Sequence, residues 1–353
     1  MKKTIRIGAL VAASALALAA CQAAPEEAPS ASDGSASEAP TIDYKACMVS
    51  DSGGFDDKSF NQAGYEGLMA VTSDLGIDVA TAESVDEADY EGNISAMVAG
   101  GCDLIITVGF LLADATSAAA TANPDTDFAI IDYAYDPPID NVKGLVFSTD
   151  QAAFLAGYAA AGSTQTGTVA TFGGINIPPV TIFMTGFLAG VNYYNETKGT
   201  DVKLLGWDGT DGSFTGDFDD LTKGQSLAQG FIDQGADIIM PVAGPVGLGA
   251  AAAAQANPGT WIIGVDSDWM LTATGYEDLI LTSVMKNMGP AVYEVVETSA
   301  VGAGFTNELY VGTLENDGVG LGPSAAEVPA DVLAELETIK AGIIDGSISV
   351  ALS

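Results

Sequence analysis

Ala46-Cys47-Met48-Val49-Ser50-Asp51-Ser52-Gly53-Gly54-Phe55-Asp56-Asp57-Lys58-Ser59-Phe60-Asn61-Gln62 is the stretch on which the fold turns. Its first five residues are apolar or small and uncharged, as in a strand buried on both faces. A glycine pair then permits a tight turn. Asp57 or Ser59 can cap a helix that begins near Phe60, because a short polar side chain accepts the free amides of a first turn. Strand, polar turn and helix in that order make the first half of a βαβ unit.

The same unit recurs along the chain. Apolar runs at 46–50, 78–81, 104–108, 128–131 and 145–148 read as strands, with helices at 60–74, 91–100, 111–122 and 151–162. A second set follows, with strands near 168–173, 202–207, 237–242 and 261–265 and helices near 180–195, 221–234 and 246–256. Two such sets predict an α/β protein of two doubly wound, parallel-sheet lobes. The carboxyl ends of their strands would face a small-molecule cleft. Residues 279–286, a helix at 289–302 and the run 308–314 are expected to cross back between lobes, and Pro329 opens a last helix at 330–344. The expected division is 42–148 plus about 268–302 for one lobe, and 149–267 plus about 303–353 for the other.

What precedes residue 42 decides the compartment. Lys2, Lys3 and Arg6 form a basic start, and an uncharged apolar run from 7 to 20 ends in Leu18-Ala19-Ala20-Cys21. That run is shorter than the roughly 20 residues of a spanning helix and reads as a secretory signal. A cysteine directly after Leu-Ala-Ala looks like the lipobox of bacterial lipoproteins. The expectation is a signal peptide over 1–20, acylation of Cys21, and a flexible Ala/Pro/Ser/Glu tether over 21–41. The mature protein would sit lipid-anchored on the extracytoplasmic face of the cell membrane.

Composition narrows the chemistry further. Without Lys2, Lys3 and Arg6, eight basic side chains stand against 47 acidic ones, a net charge of −39, which repels nucleic acid. The chain has no histidine, so Ser-His-Asp and Cys-His catalysis and most zinc sites are absent. A binding protein is favoured over an enzyme, with no cofactor and no metal. Besides Cys21 the cysteines are Cys47 and Cys102, at the starts of the first and third strands. In a 2-1-3-4-5 strand order those strands are neighbours, so outside the cytoplasm the pair is expected to form a structural disulfide away from the ligand edge.

Polar and glycine-rich residues stop each strand. They include Asp51 to Asn61, Val108 to Ala115, Asp132 after the fourth strand, Gly173-Gly174 with 177–181 and Gly186-Phe187, Lys223-Gly224, Pro241 to Gly249, Val265-Asp266, and Thr282 to Asn287 with its lone Lys286. Together, and in this order, they resemble the basic membrane protein family of bacterial lipoproteins, the purine nucleoside receptor-like substrate-binding components of ABC importers. The resemblance runs over nearly the whole mature chain.

It implies a type I periplasmic-binding-protein fold closing on a purine nucleoside (guanosine, inosine or adenosine) and delivering it, as a monomer, to ABC permease subunits. Carried over by motif, Phe60 would stack on the base beside Asn61, and Asp51 and Asp132 would read its polar edges. Asp266 would accept from the ribose hydroxyls, Lys286 would donate to the sugar, and Gly244 would offer backbone nearby. A second ring comes from a region that departs from the family pattern, an insertion over 208–219. Spacing to Lys223 favours Phe218, with Phe214 and Trp207 as alternatives. The logic suits an uncharged ligand, since nothing matches GxxxxGK[ST] and the lobe edge is crowded with Asp. Other readings remain: a receptor for a sugar, an autoinducer or a riboflavin-like ring; a sensor lipoprotein; or a nucleoside hydrolase-like enzyme using Asp51, Asp56 and Asp57 around a metal.

Overall fold

The computed structural model describes residues 42–324 and 328–352, so the signal, Cys21 and tether expectations lie outside the described residues. Strands β1 (Lys45–Ser50), β2 (Asp78–Ala82), β3 (Leu104–Val108), β4 (Asp127–Ile131) and β5 (Val142–Phe147) come first. Helices α1 (Phe60–Leu75), α2 (Tyr90–Ala99) and α3 (Ala113–Ala122) lie between them. Next come α4 (Thr149–Ser163), β6 (Thr168–Gly173), α5 (Pro178–Lys198), β7 (Lys203–Leu205), α6 (Leu221–Ile232), β8 (Ile238–Val242), α7 (Gly247–Ala256), β9 (Trp261–Asp266), α8 (Trp269–Thr272) and β10 (Ile280–Lys286). The chain then returns through α9 (Met288–Val301), β11 (Tyr310–Gly312), β12 (Val319–Leu321) and α10 (Ala330–Ile344).

Among the described residues these strands form two six-stranded sheets, ordered β11-β5-β4-β3-β1-β2 and β12-β10-β9-β8-β6-β7. Each is doubly wound with the order 2-1-3-4-5 at its heart, and apart from the antiparallel β10–β12 pair the pairings are parallel. Central strands such as β3 and β8 are buried at every position, which is why they read as unbroken apolar runs. Cys47 and Cys102 are joined by a disulfide with Cα atoms 6.0 Å apart, linking β1 to the turn that leads into β3.

The crossovers differ from the expected boundaries. Residues 280–286, assigned by pattern to the first lobe, pair with β9 in the second sheet, and 310–312, assigned to the second lobe, pair with β5 in the first. An apolar run announces a strand but not its partner, and here hydrogen-bonded pairing decides membership. The chain therefore passes between sheets three times, near 148, 287 and 313–318. The crossings are bonded to one another: the Ser148 amide donates to the Gly312 carbonyl at 2.8 Å, and the Asn287 amide to Gly318 at 2.9 Å.

Helix packing ties each lobe together. In the second, α4 and α5 approach so closely that a Cβ at Gly157 would lie 2.1 Å from the Phe187 carbonyl and one at Gly190 2.0 Å from that of Phe154. In the first, Gly67 of α1 meets Gly289 of α9, so the returning helix packs on the lobe where the chain began.

Candidate functional site

The strand ends of both sheets meet across one cavity. It is lined by Asp51, Phe60, Asn61, Asp132, Phe218, Gly244, Asp266 and Lys286, all the residues singled out from the strand-end motifs. Topology explains the meeting. In two facing doubly wound sheets, carboxyl-end loops converge where the strand order reverses.

The first lobe supplies an acid–amide cluster. Asp57 is spent on the start of α1, its carboxylate accepting from the backbone amides of Ser59, Asn61 and Gln62 at 2.8–3.0 Å. This fixes the first turn of α1 and so aims Phe60 and Asn61 into the cavity. The Asn61 Nδ2 donates to Asp51 Oδ1 at 2.8 Å and to Asp57 Oδ2 at 3.3 Å. Its Oδ1 is left buried without a partner, an acceptor whose desolvation is uncompensated until something donates to it. Burial pushes the Asp51 carboxyl up to about 8, with Asp57, Asp132 and Asp219 adding to the effect and the Asn61 bond opposing it. At neutral pH Asp51 thus holds a proton and can donate as well as accept. Gly109, at φ +117°, leaves room for it; a Cβ there would lie 2.6 Å from Asp51 Oδ2.

The second lobe supplies the cation and much of the apolar wall. Ile177, Pro179, Val180 and Phe183 come from the entry to α5, and Val242, Ala243, Gly244 and Pro245 from the turn after β8. Lys286, at the end of β10, is 2% exposed and forms an ion pair with Asp132 of the first lobe. Its Nζ also sits 4.7 Å from the centroid of the Phe60 ring, a cation–π contact. Asp132 and Asp266 end β4 and β9, corresponding strands of the two sheets, and both take left-handed backbone, at φ +68° and +66°. Aspartate tolerates that region better than most residues, and such strain concentrates at functional sites. Burial raises the Asp266 carboxyl to about 6 although Lys286 opposes it, and burial likewise raises Asp132 against Lys286.

Besides the Lys286–Phe60 contact, one ion pair and two hydrogen bonds join the lobes around the cavity: Lys286 with Asp132, the Ser59 hydroxyl donating to Asp266 Oδ2 at 3.2 Å, and the Ser267 hydroxyl donating to the Lys58 carbonyl at 3.2 Å. The lobes are therefore closed on each other. Asp132, expected with Asp51 to read the polar edges of the base, has Lys286 as its hydrogen-bond partner.

Of the three aromatic candidates, Phe218 lines the cavity and Phe214 and Trp207 do not. Phe218 also covers Gly174, where a Cβ would lie 2.3 Å from its ring. Phe214 packs under Gly173 and edge-on to the buried Trp207, whose indole donates to Thr185. The insertion holds this shape because residues 213–215 bond to Gly173 at the end of β6, and Asp217 accepts from the amides of Asp219 and Asp220.

Two aromatic wall residues went unselected in the sequence. Phe110 follows Gly109 at a strand end, and Phe183 lies one helical turn beyond Pro179 and Val180; each position was signal enough. The Asp51, Asp56 and Asp57 trio does not converge. Asp57 caps α1, and Asp56 pairs with Lys58 at the surface with its side chain 87% exposed. Among the described residues no group of His, Cys, Asp and Glu is placed to hold a metal ion, and no helix is long and apolar enough to cross a membrane.

Comparison with known proteins agrees with this architecture. A family model described as ABC transporter substrate-binding protein PnrA-like matches residues 44–350. A Listeria innocua protein named CD4+ T-cell-stimulating antigen is 32% identical, over 99% of this chain and 98% of its own. A protein of Lactococcus lactis subsp. cremoris, named ABC transporter nucleoside-binding protein BmpA, is 30% identical over 99% of both chains. Among solved structures, an ABC transporter solute-binding protein of Aeropyrum pernix K1 superposes with a TM-score of 0.77 at 28% identity, covering 87% of this chain and 92% of that one.

Proposed function

The chain belongs to the PnrA-like family of ABC transporter substrate-binding proteins, the basic membrane proteins, and on that premise we propose that it captures a purine nucleoside between its lobes. Members of this family bind and hand over a solute outside the cytoplasm and are not enzymes. In the proposal the protein is held at the membrane by acylated Cys21 and delivers the nucleoside to a permease.

The observation that carries the reading is the presence of two rings and a neutral-ligand polar set in one cavity: Phe60 from one lobe and Phe218 from the other, with Asp51, Asn61, Asp266 and Lys286 lining the same space. Base–aromatic stacking contributes roughly 1–3 kcal/mol per base. The protonated Asp51 and the orphan Asn61 Oδ1 offer a donor and an acceptor to the edge of a purine, which itself carries both. Asp266 accepts from sugar hydroxyls through charge-assisted bonds, and Lys286 donates to the sugar once the ligand competes with Asp132 for it. Phosphates would find one cation and several carboxyl groups, so nucleotides are rejected.

The named relative from Lactococcus lactis supports the nucleoside class. The test is mass spectrometry of the small molecule that copurifies with the protein, followed by calorimetry with inosine, guanosine, adenosine and the matching monophosphates. The reading expects a purine nucleoside to bind and its monophosphate not to; a sugar or a flavin as the retained molecule would replace it.

A further inference from the structure

The two most exposed large apolar side chains among the described residues are Val85, at 81%, and Leu271, at 78%. Scattered singly, such residues are ordinary on a protein surface. These two are not scattered. Val85 follows β2 beyond its carboxyl end in the first lobe, and Leu271 lies in α8, just beyond the carboxyl end of β9 in the second. The turn between β1 and α1 joins them. At one end of it the Phe55 amide donates to Glu83 Oε1 at 2.9 Å, two residues before Val85. At the other end the Lys58 carbonyl accepts from the Ser267 hydroxyl, which lies 3.1 Å from the hydroxyl of Thr272, the neighbour of Leu271. Val85, the turn and Leu271 therefore make one strip that crosses the seam between the lobes.

The strip is acidic. Asp56, Glu83, Asp86 and Glu87 are exposed along it, and an open recess lined by Phe55, Asp56, Tyr65 and Glu83 adds the exposed Glu66. Lys58, the cation of the turn, is paired with Asp56. Resting on the reading that the protein delivers its solute to a permease, we infer that this strip is the surface on which the permease docks. Val85 and Leu271 enter apolar depressions of a permease surface rich in Lys and Arg. Charge selects that occupant. A second copy of the chain would set the same carboxylates against one another, and an anionic bilayer surface is repelled as well. A basic protein surface is instead drawn in and oriented by the carboxylates, while the two aliphatic side chains supply affinity as they leave water.

The experiment measures uptake of a radiolabelled purine nucleoside (or of a sugar or flavin, should that be the molecule the protein retains) in cells of the source organism. The full chain or a variant replaces the chromosomal copy, and each purified variant is titrated with the same solute by calorimetry. Val85→Ser combined with Leu271→Ser should cut uptake at least about tenfold and leave Kd within about twofold. Glu66→Lys combined with Glu87→Lys should cut uptake about fivefold by repelling a basic partner, again with Kd unchanged. Leu333→Ser and Ile344→Ser, at exposed apolar positions on α10, should change neither quantity. Wild-type uptake in either double variant, or an equal loss in the α10 variants, overturns the inference and leaves solute binding intact. A loss of uptake matched by an equal loss of affinity overturns it too. Uptake that does not depend on the chain at all removes delivery to a permease, and the inference with it. A strip-dependent uptake of some other solute would overturn the nucleoside reading and keep the docking surface.

Discussion

The two lobes share one strand order and present opposite chemistry to the same cavity. After β1 the first lobe places Asp51, Asp57 and Asn61, and after β4 it places Asp132. After β6 the second lobe, whose strands run in the matching order, places Ile177, Pro179, Val180 and Phe183. Only at the ends of β9 and β10 does it add Asp266 and Lys286. A repeated framework has thus been divided between a polar jaw and a mostly apolar one. Neither half makes a site alone, because the acids of one jaw need the cation of the other and each jaw brings rings to the shared cavity.

Removing that cation tests the division most severely. Lys286→Ala leaves Asp132 and Asp266 buried without their counter-charge, and breaking a buried pair costs about 3 kcal/mol or more. Nucleoside affinity should fall at least a hundredfold by calorimetry, and the loss of Tm should be greater at pH 8 than at pH 5, where the two carboxyls can protonate. An unchanged affinity would mean that the jaws do not cooperate through Lys286.

Next in size is the loss of either ring. Phe60→Ala and Phe218→Ala should each weaken binding roughly 10- to 100-fold, with Phe218→Trp tolerated. Phe214→Ala should instead lower Tm and spare Kd, because that ring packs on Trp207 and Gly173 outside the cavity. If Phe214→Ala abolishes binding and Phe218→Ala does not, the second jaw is misassigned.

Corresponding glycines sharpen the contrast. Gly109 and Gly244 both follow central strands and both have positive φ, but only at Gly109 does a Cβ collide with the polar cluster; at Gly244 nothing lies within 4 Å. Gly109→Ala should therefore cost affinity about tenfold more than Gly244→Ala, while both lose roughly 1 kcal/mol of stability to backbone strain. Equal affinities would show that Asp51 need not hold its place.

The effect most remote from ligand binding is a pH dependence of the unliganded protein. Asp51 sits at about 8 when folded against 3.8 as its ordinary value. A carboxyl raised in this way gives stability that is fully present below about 4 and lost as pH rises through about 8. Asp266, at about 6, adds to the decline over the lower part of that range. Tm should fall between pH 5 and pH 8, and Asp51→Asn should flatten the curve. A wild-type Tm that rises over this range would contradict a protonated Asp51.

Legibility followed the locality of each feature. Strands such as β3 and β8 were plain because burial on both faces makes every position apolar, and the site residues could be found because each lies just past such a run. The apolar pattern marks β5 only from Leu145, although the strand begins at Val142, because Lys143 and Gly144 interrupt its apolar character. The sheet membership of β10 and β11 was not readable, because both are apolar runs and only their hydrogen-bonded neighbours separate them. The Asp132–Lys286 pair joins residues 154 positions apart and came from neither motif alone.

The three interlobe crossings have a mechanical consequence. A single linker would let the lobes twist, slide and bend; three separate strands of chain, cross-bonded at Ser148–Gly312 and Asn287–Gly318, resist twist and shear and leave bending as the soft mode. Occupancy of the cavity is then expressed as one angle between rigid bodies. A partner that touches both lobes at once can read that angle without ever reaching the ligand.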